Sequence, residues 1–228
     1  MGANNLKPIL TFLSELEHNN NKLWFDRNRD SYDEARQLFE ELVIALISEV
    51  GKFEDLGGLM PKDCVFRINR DLRFSKDKSP YKTAMSAVIG PGGKKQTSLP
   101  YYVHLEPRGR SMLGGGHYMP TPGQLARWRQ AVDQDAARLN KIIHHKNFVS
   151  AFGALEGDKL KSAPKGYSRD HPEIELLRLK QLVVVHRLTD KEVLSPEFVK
   201  ETAKAFKTMK PFLDYLNQSL GSMSAGSE

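Results

Sequence analysis

Ile9, Phe12, Leu13 and Leu16 fall on one stripe of residues 8–17, the 3.6-residue spacing of a short amphipathic helix. Asn19, Asn20 and Asn21 break the pattern, and Asn21 is placed to accept hydrogen bonds from the exposed amides that open the next helix. That second helix is expected to be long. Trp24, Tyr32, Ala35, Phe39, Leu42, Leu46 and Val50 recur on its inner face, while Arg29, Asp33, Glu40 and Glu41 fill the outer one. Gly57 and Gly58 mark a loop, and beyond Cys64 the period changes to two. Phe66 and Ile68 alternate with Arg67 and Asn69; residues 84–90 continue in the same manner; Tyr101, Val103 and Leu105 alternate with Tyr102, His104 and Glu106. A further strand is expected over residues 111–115.

The gaps between these segments are too short for helical crossovers, which predicts an antiparallel meander. Helical spacing then returns. Thr121-Pro122-Gly123-Gln124 combines an N-cap, a first-turn proline and a capping-box glutamine ahead of Leu125, Trp128, Val132, Leu139 and Ile142. A short helix over 173–179, a strand over 181–187, and a last helix carrying Phe198, Phe206, Met209, Leu213, Leu216 and Leu220 complete the pattern. Pro211 is expected to kink or interrupt that last helix. The whole reads as a single α+β domain over residues 1–220, a mainly antiparallel sheet of about five strands covered by several helices, with a disordered tail at 221–228.

Composition narrows the function classes. A chain of 228 residues can bury a substantial core. Its apolar runs are far too short to span a bilayer, which excludes an integral membrane protein of the helical kind. The start of the chain lacks the basic and apolar regions of a signal peptide, so the expected location is cytoplasmic. The single cysteine, Cys64, excludes an intrachain disulfide and a multi-cysteine zinc site.

Net charge is +6, which favours anionic partners, and the excess is concentrated. Between residues 67 and 82, Arg67, Arg70, Arg73, Lys76, Lys78 and Lys82 face only Asp71 and Asp77. This run, Arg67-Ile68-Asn69-Arg70-Asp71-Leu72-Arg73-Phe74-Ser75-Lys76-Asp77-Lys78-Ser79-Pro80-Tyr81-Lys82-Thr83, resembles the signature of the domain-of-unknown-function 2461 family. Similar correspondences cover most of the chain: Asn19 to Phe25, Tyr101 to Leu105, Gly114-Gly115-Gly116 with Tyr118 and Pro120, and Leu160 to Tyr167 with His171-Pro172. The resemblance implies an α+β fold with helices over a mainly antiparallel sheet. It names no catalytic residue.

Guanidinium forks bind phosphate or carboxylate in bidentate fashion, so the run suggests an anion cradle built from Arg67, Arg70, Arg73, Lys78 and Lys82, with Lys165 as a cation on a second wall. The competing expectation is that Asp71 and Asp77 neutralise the arginines and that the run is architecture. His104 is the candidate for proton transfer, against the plainer reading of a hydrogen-bonded strand histidine. His117, after three glycines, is a weaker one. Gly114-Gly115-Gly116 lacks the residues of a P-loop or a dinucleotide fingerprint and suits a tight bend or bulge. His144 and His145 point apart on a helix and cannot clasp one metal together. No metal or cofactor is expected. Three functions follow: a domain binding a small anionic, for instance phosphorylated, ligand with or without catalysis; a nucleic-acid-binding protein using these cations with Tyr81, Tyr101 and Tyr102 as stacking platforms; or an interaction scaffold.

Overall fold

The computed structural model describes residues 5–73 and 76–220. Ten α-helices and one four-stranded sheet are present among them: α1 (Lys7–His18), α2 (Lys22–Arg27), α3 (Arg29–Val50), α4 (Pro61–Cys64), β1 (Met85–Ile89), β2 (Tyr101–Leu105), β3 (Ser111–His117), α5 (Pro122–Gln134), α6 (Ala137–Ile143), α7 (Lys146–Phe152), α8 (Ile174–Leu177), β4 (Leu182–Leu188), α9 (Asp190–Val193) and α10 (Phe198–Leu220). The strands lie in the order β1-β2-β3-β4, every neighbour antiparallel. One cluster of buried apolar side chains runs from Leu6 to Leu220.

Alternation decides which face is buried. Tyr101, Val103 and Leu105 of β2 are buried with Leu113, Val184 and Leu188 on the face covered by α3 and α10. Gly115 lets α10 lie close, since a Cβ there would stand 2.3 Å from the Met209 sulfur. The opposite face carries Ser86 and Val88 of β1, which are buried, and Tyr102, His104, Met112 and Val185, which are only half-buried. An antiparallel sheet can leave one face to water in this way.

The expected fifth strand at residues 64–69 is not part of the sheet. Residues 65–69 form two isolated bridges, Val65 with Ala87 and Asn69 with Tyr81. The register explains why. Phe66 N–H donates to the Ser86 carbonyl at 3.0 Å, but two residues later Ile68 accepts from Lys82 N–H at 2.8 Å. Only Arg67 separates the bonded residues on one side, whereas Thr83, Ala84 and Met85 separate them on the other. The ladder is broken by a bulge. Residues 65–87 are therefore an irregular hairpin lying against the sheet edge.

Two helical expectations also need correction, as does part of a third. The long helix from Trp24 to Val50 is two, because Asn28 leaves helical geometry (φ −110°, ψ 28°) and its side-chain amide donates to the Trp24 carbonyl at 2.9 Å. The stripe from Leu125 to Ile142 is likewise divided at Asp135, whose extended backbone ends α5 and whose carboxylate accepts from the Ala137 amide as α6 begins. Pro211, by contrast, does not interrupt α10. Phe206, Met209, Phe212, Leu213 and Leu216 are all buried around it, and that packing outweighs the lost backbone bond. Asn21 and Thr121 do cap α2 and α5 as their positions suggested. The tail at 221–228 lies outside the described residues, as do Phe74 and Ser75.

Candidate functional site

The bulge in the hairpin opens a cleft of about 630 Å³ between residues 66–84 and the half-open face of β1 and β2. Asn20 fixes its rim. The side-chain amide of Asn20 donates to the Tyr81 carbonyl at 2.9 Å, and its oxygen accepts from Tyr81 N–H at 3.1 Å, so a side chain takes the place of a neighbouring strand. Tyr81 also stacks on Phe25 of α2 at a ring separation of 4.0 Å. The helix junction at 19–25 thus holds the base of the arginine segment, which ties together two of the sequence stretches behind the family resemblance.

Strand period two brings Tyr102 and His104 to the cleft floor, with Glu106 just past the end of β2. Ser86 of β1 stands directly across from His104 in the register. His104 Nδ1 lies 3.0 Å from the Tyr102 hydroxyl and its Nε2 lies 3.1 Å from Glu106. Glu106 accepts from Thr83 Oγ1 at 3.0 Å and faces Arg110 at 3.3 Å. Arg110 in turn makes two bonds to Glu17, at 3.0 and 2.8 Å, and holds that carboxyl below its usual range. Burial pushes the Tyr102 phenol up, with the nearby Ser86 hydroxyl opposing the effect and Glu106 adding to it. Tyr102 is therefore a neutral hydroxyl at ordinary pH.

The cations of the arginine segment divide. Arg70 lines the cleft but is ion-paired with Asp77. Asp77 also accepts from the Ser79 amide at 2.9 Å and the Ser79 hydroxyl at 2.7 Å, and these bonds with Arg70 hold its carboxyl far below the usual range. Arg73 is exposed and folds back on Asp71 at 2.7 Å, lowering the Asp71 pKa to about 2. Lys78 is exposed and donates to the Leu72 carbonyl at 3.2 Å. Lys165 is exposed beside the buried Pro164, and neither it, Arg67, Arg73 nor Lys78 lines the cleft.

Lys82 differs from these. It lines the cleft half-buried, donates to the Arg67 carbonyl at 3.0 Å, and lies 5.7 Å over the Phe66 ring. Among the described residues no carboxylate comes within ion-pairing distance of it. Burial, and then the nearby Arg67 charge, push its pKa down.

His117 sits at the far end of β3, partly buried, its Nε2 without a partner among the described residues and its pKa lowered by burial. Tyr81 and Tyr101 are buried, the latter bonded to Glu54, so neither offers a face on which a nucleic-acid base could stack. Sequence reasoning missed Ser86, Glu17 and Arg110. A serine within the apolar Met85–Ile89 run was the visible sign of Ser86, but only the strand register reveals that it faces His104. Among the described residues no three His, Cys, Asp or Glu side chains are grouped to hold a metal, and no helix is long and apolar enough to cross a membrane.

A family profile described as conserved hypothetical protein (DUF2461) matches residues 8–215. The chain belongs to that family. The match takes in both walls of the cleft, the helix junction at 19–25 and the sheet. No curated protein and no solved structure matches the chain.

Proposed function

We propose that the protein binds a small ligand in this cleft through an anionic group, for instance a phosphate, held by Lys82. The observation that carries the reading is the Lys82 ammonium, half-desolvated, crowded by a second cation and, among the described residues, lacking a carboxylate partner. An anion supplies the missing countercharge, and in a partly buried cleft that contact is stronger than on open surface. On this reading Lys82 rather than Arg70 or Arg73 carries the anion site, because the two guanidinium groups have carboxylate partners. Lys78 and Lys165, outside the cleft, add at most long-range attraction.

The test is a thermal-shift panel of inorganic phosphate and phosphorylated metabolites at constant ionic strength, on wild type and Lys82→Ala. A rise in melting temperature in the wild type that is lost in the variant supports the reading. Equal shifts in both proteins, or none with any compound, contradict it.

A further inference from the structure

Anion binding leaves Tyr102, His104 and Glu106 without a task. Their hydrogen bonds have an assignable direction. Glu106, beside Arg110 and Thr83, is a carboxylate that only accepts, so His104 Nε2 carries the proton. The lone pair is then on Nδ1, and the Tyr102 hydroxyl donates to it at 3.0 Å. The Tyr102 oxygen is left to accept, and Ser86, paired with His104 across the strands, lines the cleft beside it. The chain runs one way, from Tyr102 through His104 to Glu106. Beside its open end stands Ser86, whose side chain lines the same cleft as Lys82.

We infer that Ser86 is a nucleophile activated by the Tyr102–His104–Glu106 relay, and that the reaction is hydrolysis of a small phosphate ester. The substrate class rests on the binding reading above; the relay does not. In the first step the Ser86 Oγ–P bond forms as the ester P–O bond breaks. The serine proton moves to Tyr102 while Tyr102 passes its own to His104, so the phenol is neutral before and after. The imidazolium so formed faces Glu106, which orients the ring and stabilises its charge. The departing alkoxide takes the proton back along the relay and leaves as an alcohol. Water then attacks the phosphoserine and gives its proton to the relay; as the new P–O bond forms the Ser86 Oγ–P bond breaks, Ser86 Oγ takes the proton back through Tyr102, and phosphate is released. Lys82 lies where negative charge builds on the phosphoryl oxygens.

An alkyl fluorophosphonate tests the relay without knowledge of the substrate, because Ser86 attack on phosphorus expels fluoride and leaves a stable adduct. The expected result is one adduct located at Ser86 by peptide mass spectrometry, absent from Ser86→Ala. In His104→Asn and Tyr102→Phe, each checked for its fold by circular dichroism, labelling should slow by roughly a hundred-fold. Tyr102→Phe keeps the ring and its packing, so a network that is only structural would leave labelling unchanged. No adduct at Ser86 in the wild type, or undiminished labelling in the folded variants, overturns the inference. Inorganic phosphate separates the two readings. Labelling that phosphate neither slows nor competes with removes the anion site and leaves the relay; a Lys82-dependent phosphate shift without labelling removes the relay and leaves the anion site.

Discussion

At the tip of the 65–87 hairpin, Arg70 and Arg73 each have a carboxylate partner, in Asp77 and Asp71. At its root, Lys82 has an aromatic ring, a backbone carbonyl and, among the described residues, no carboxylate. Cation density along the chain is highest towards the tip, yet the charge left uncompensated in a cleft is at the root. Acids interleaved in a basic run need only a turn to reach their partners, and a residue beside a bulge has no such neighbour. The lesson is that a basic run marks a region, whereas the unpaired member within it depends on how the backbone folds.

The root is also where the hairpin is fastened, and removing the fastening should have the largest effect. Asn20→Ala leaves the Tyr81 N–H and C=O without their side-chain partner and should cost about 2 kcal/mol of stability by chemical denaturation. Arg73→Ala, at the exposed tip, should leave the unfolding midpoint unchanged. Next comes binding. Lys82→Ala should weaken phosphate by about ten-fold in calorimetric titration, the effect of one partly buried charge-assisted bond, with Arg73→Ala within about two-fold of wild type.

The two ends should also part in their pH dependence. An anion requires the ammonium form of Lys82, and the folded pKa lies below the usual lysine value of 10.5. Phosphate binding should therefore fade as pH rises through that lowered value, earlier than for an ordinary lysine, and titrations across alkaline pH would show it. The tip responds at the acidic end. Asp71 has a folded pKa of about 2 against an ordinary 3.8, so its contribution is complete above 3.8 and is lost as pH falls through 2. The Arg73 Nε–H resonance should lose its protection over that interval while the Lys82 environment stays unaltered. This is the smallest effect, since both tip groups are solvent-exposed.

Much of the fold was legible because local rules and tertiary packing agreed. The Thr121 capping box, the Asn21 cap and the in-and-out alternation of Tyr101 to Leu105 each needed only neighbours in sequence. Where the readings diverged, a longer-range term decided. The bulge at Thr83 to Met85 depends on which residues pair across the hairpin, and it turned an expected strand into two isolated bridges. Pro211 was tolerated because the buried stripe of α10 extends on both sides of it. The breaks at Asn28 and Asp135 lie within apolar stripes that continue past them, so periodicity alone did not expose them. For the site, the strand face of Tyr102, His104 and Glu106 was visible from alternation. Its link to Ser86 and Arg110 required the registers of β1 and of the turn after β2.

The most direct measurement is where an anion settles. Crystals of the protein grown or soaked with tungstate, whose anomalous signal marks its position, should show the ion within hydrogen-bonding reach of Lys82 Nζ, in the cleft floored by Ser86, Tyr102 and His104. Tungstate bound instead at Arg70 or Arg73, or a cleft left empty while the ion occupies sites elsewhere, would contradict the account.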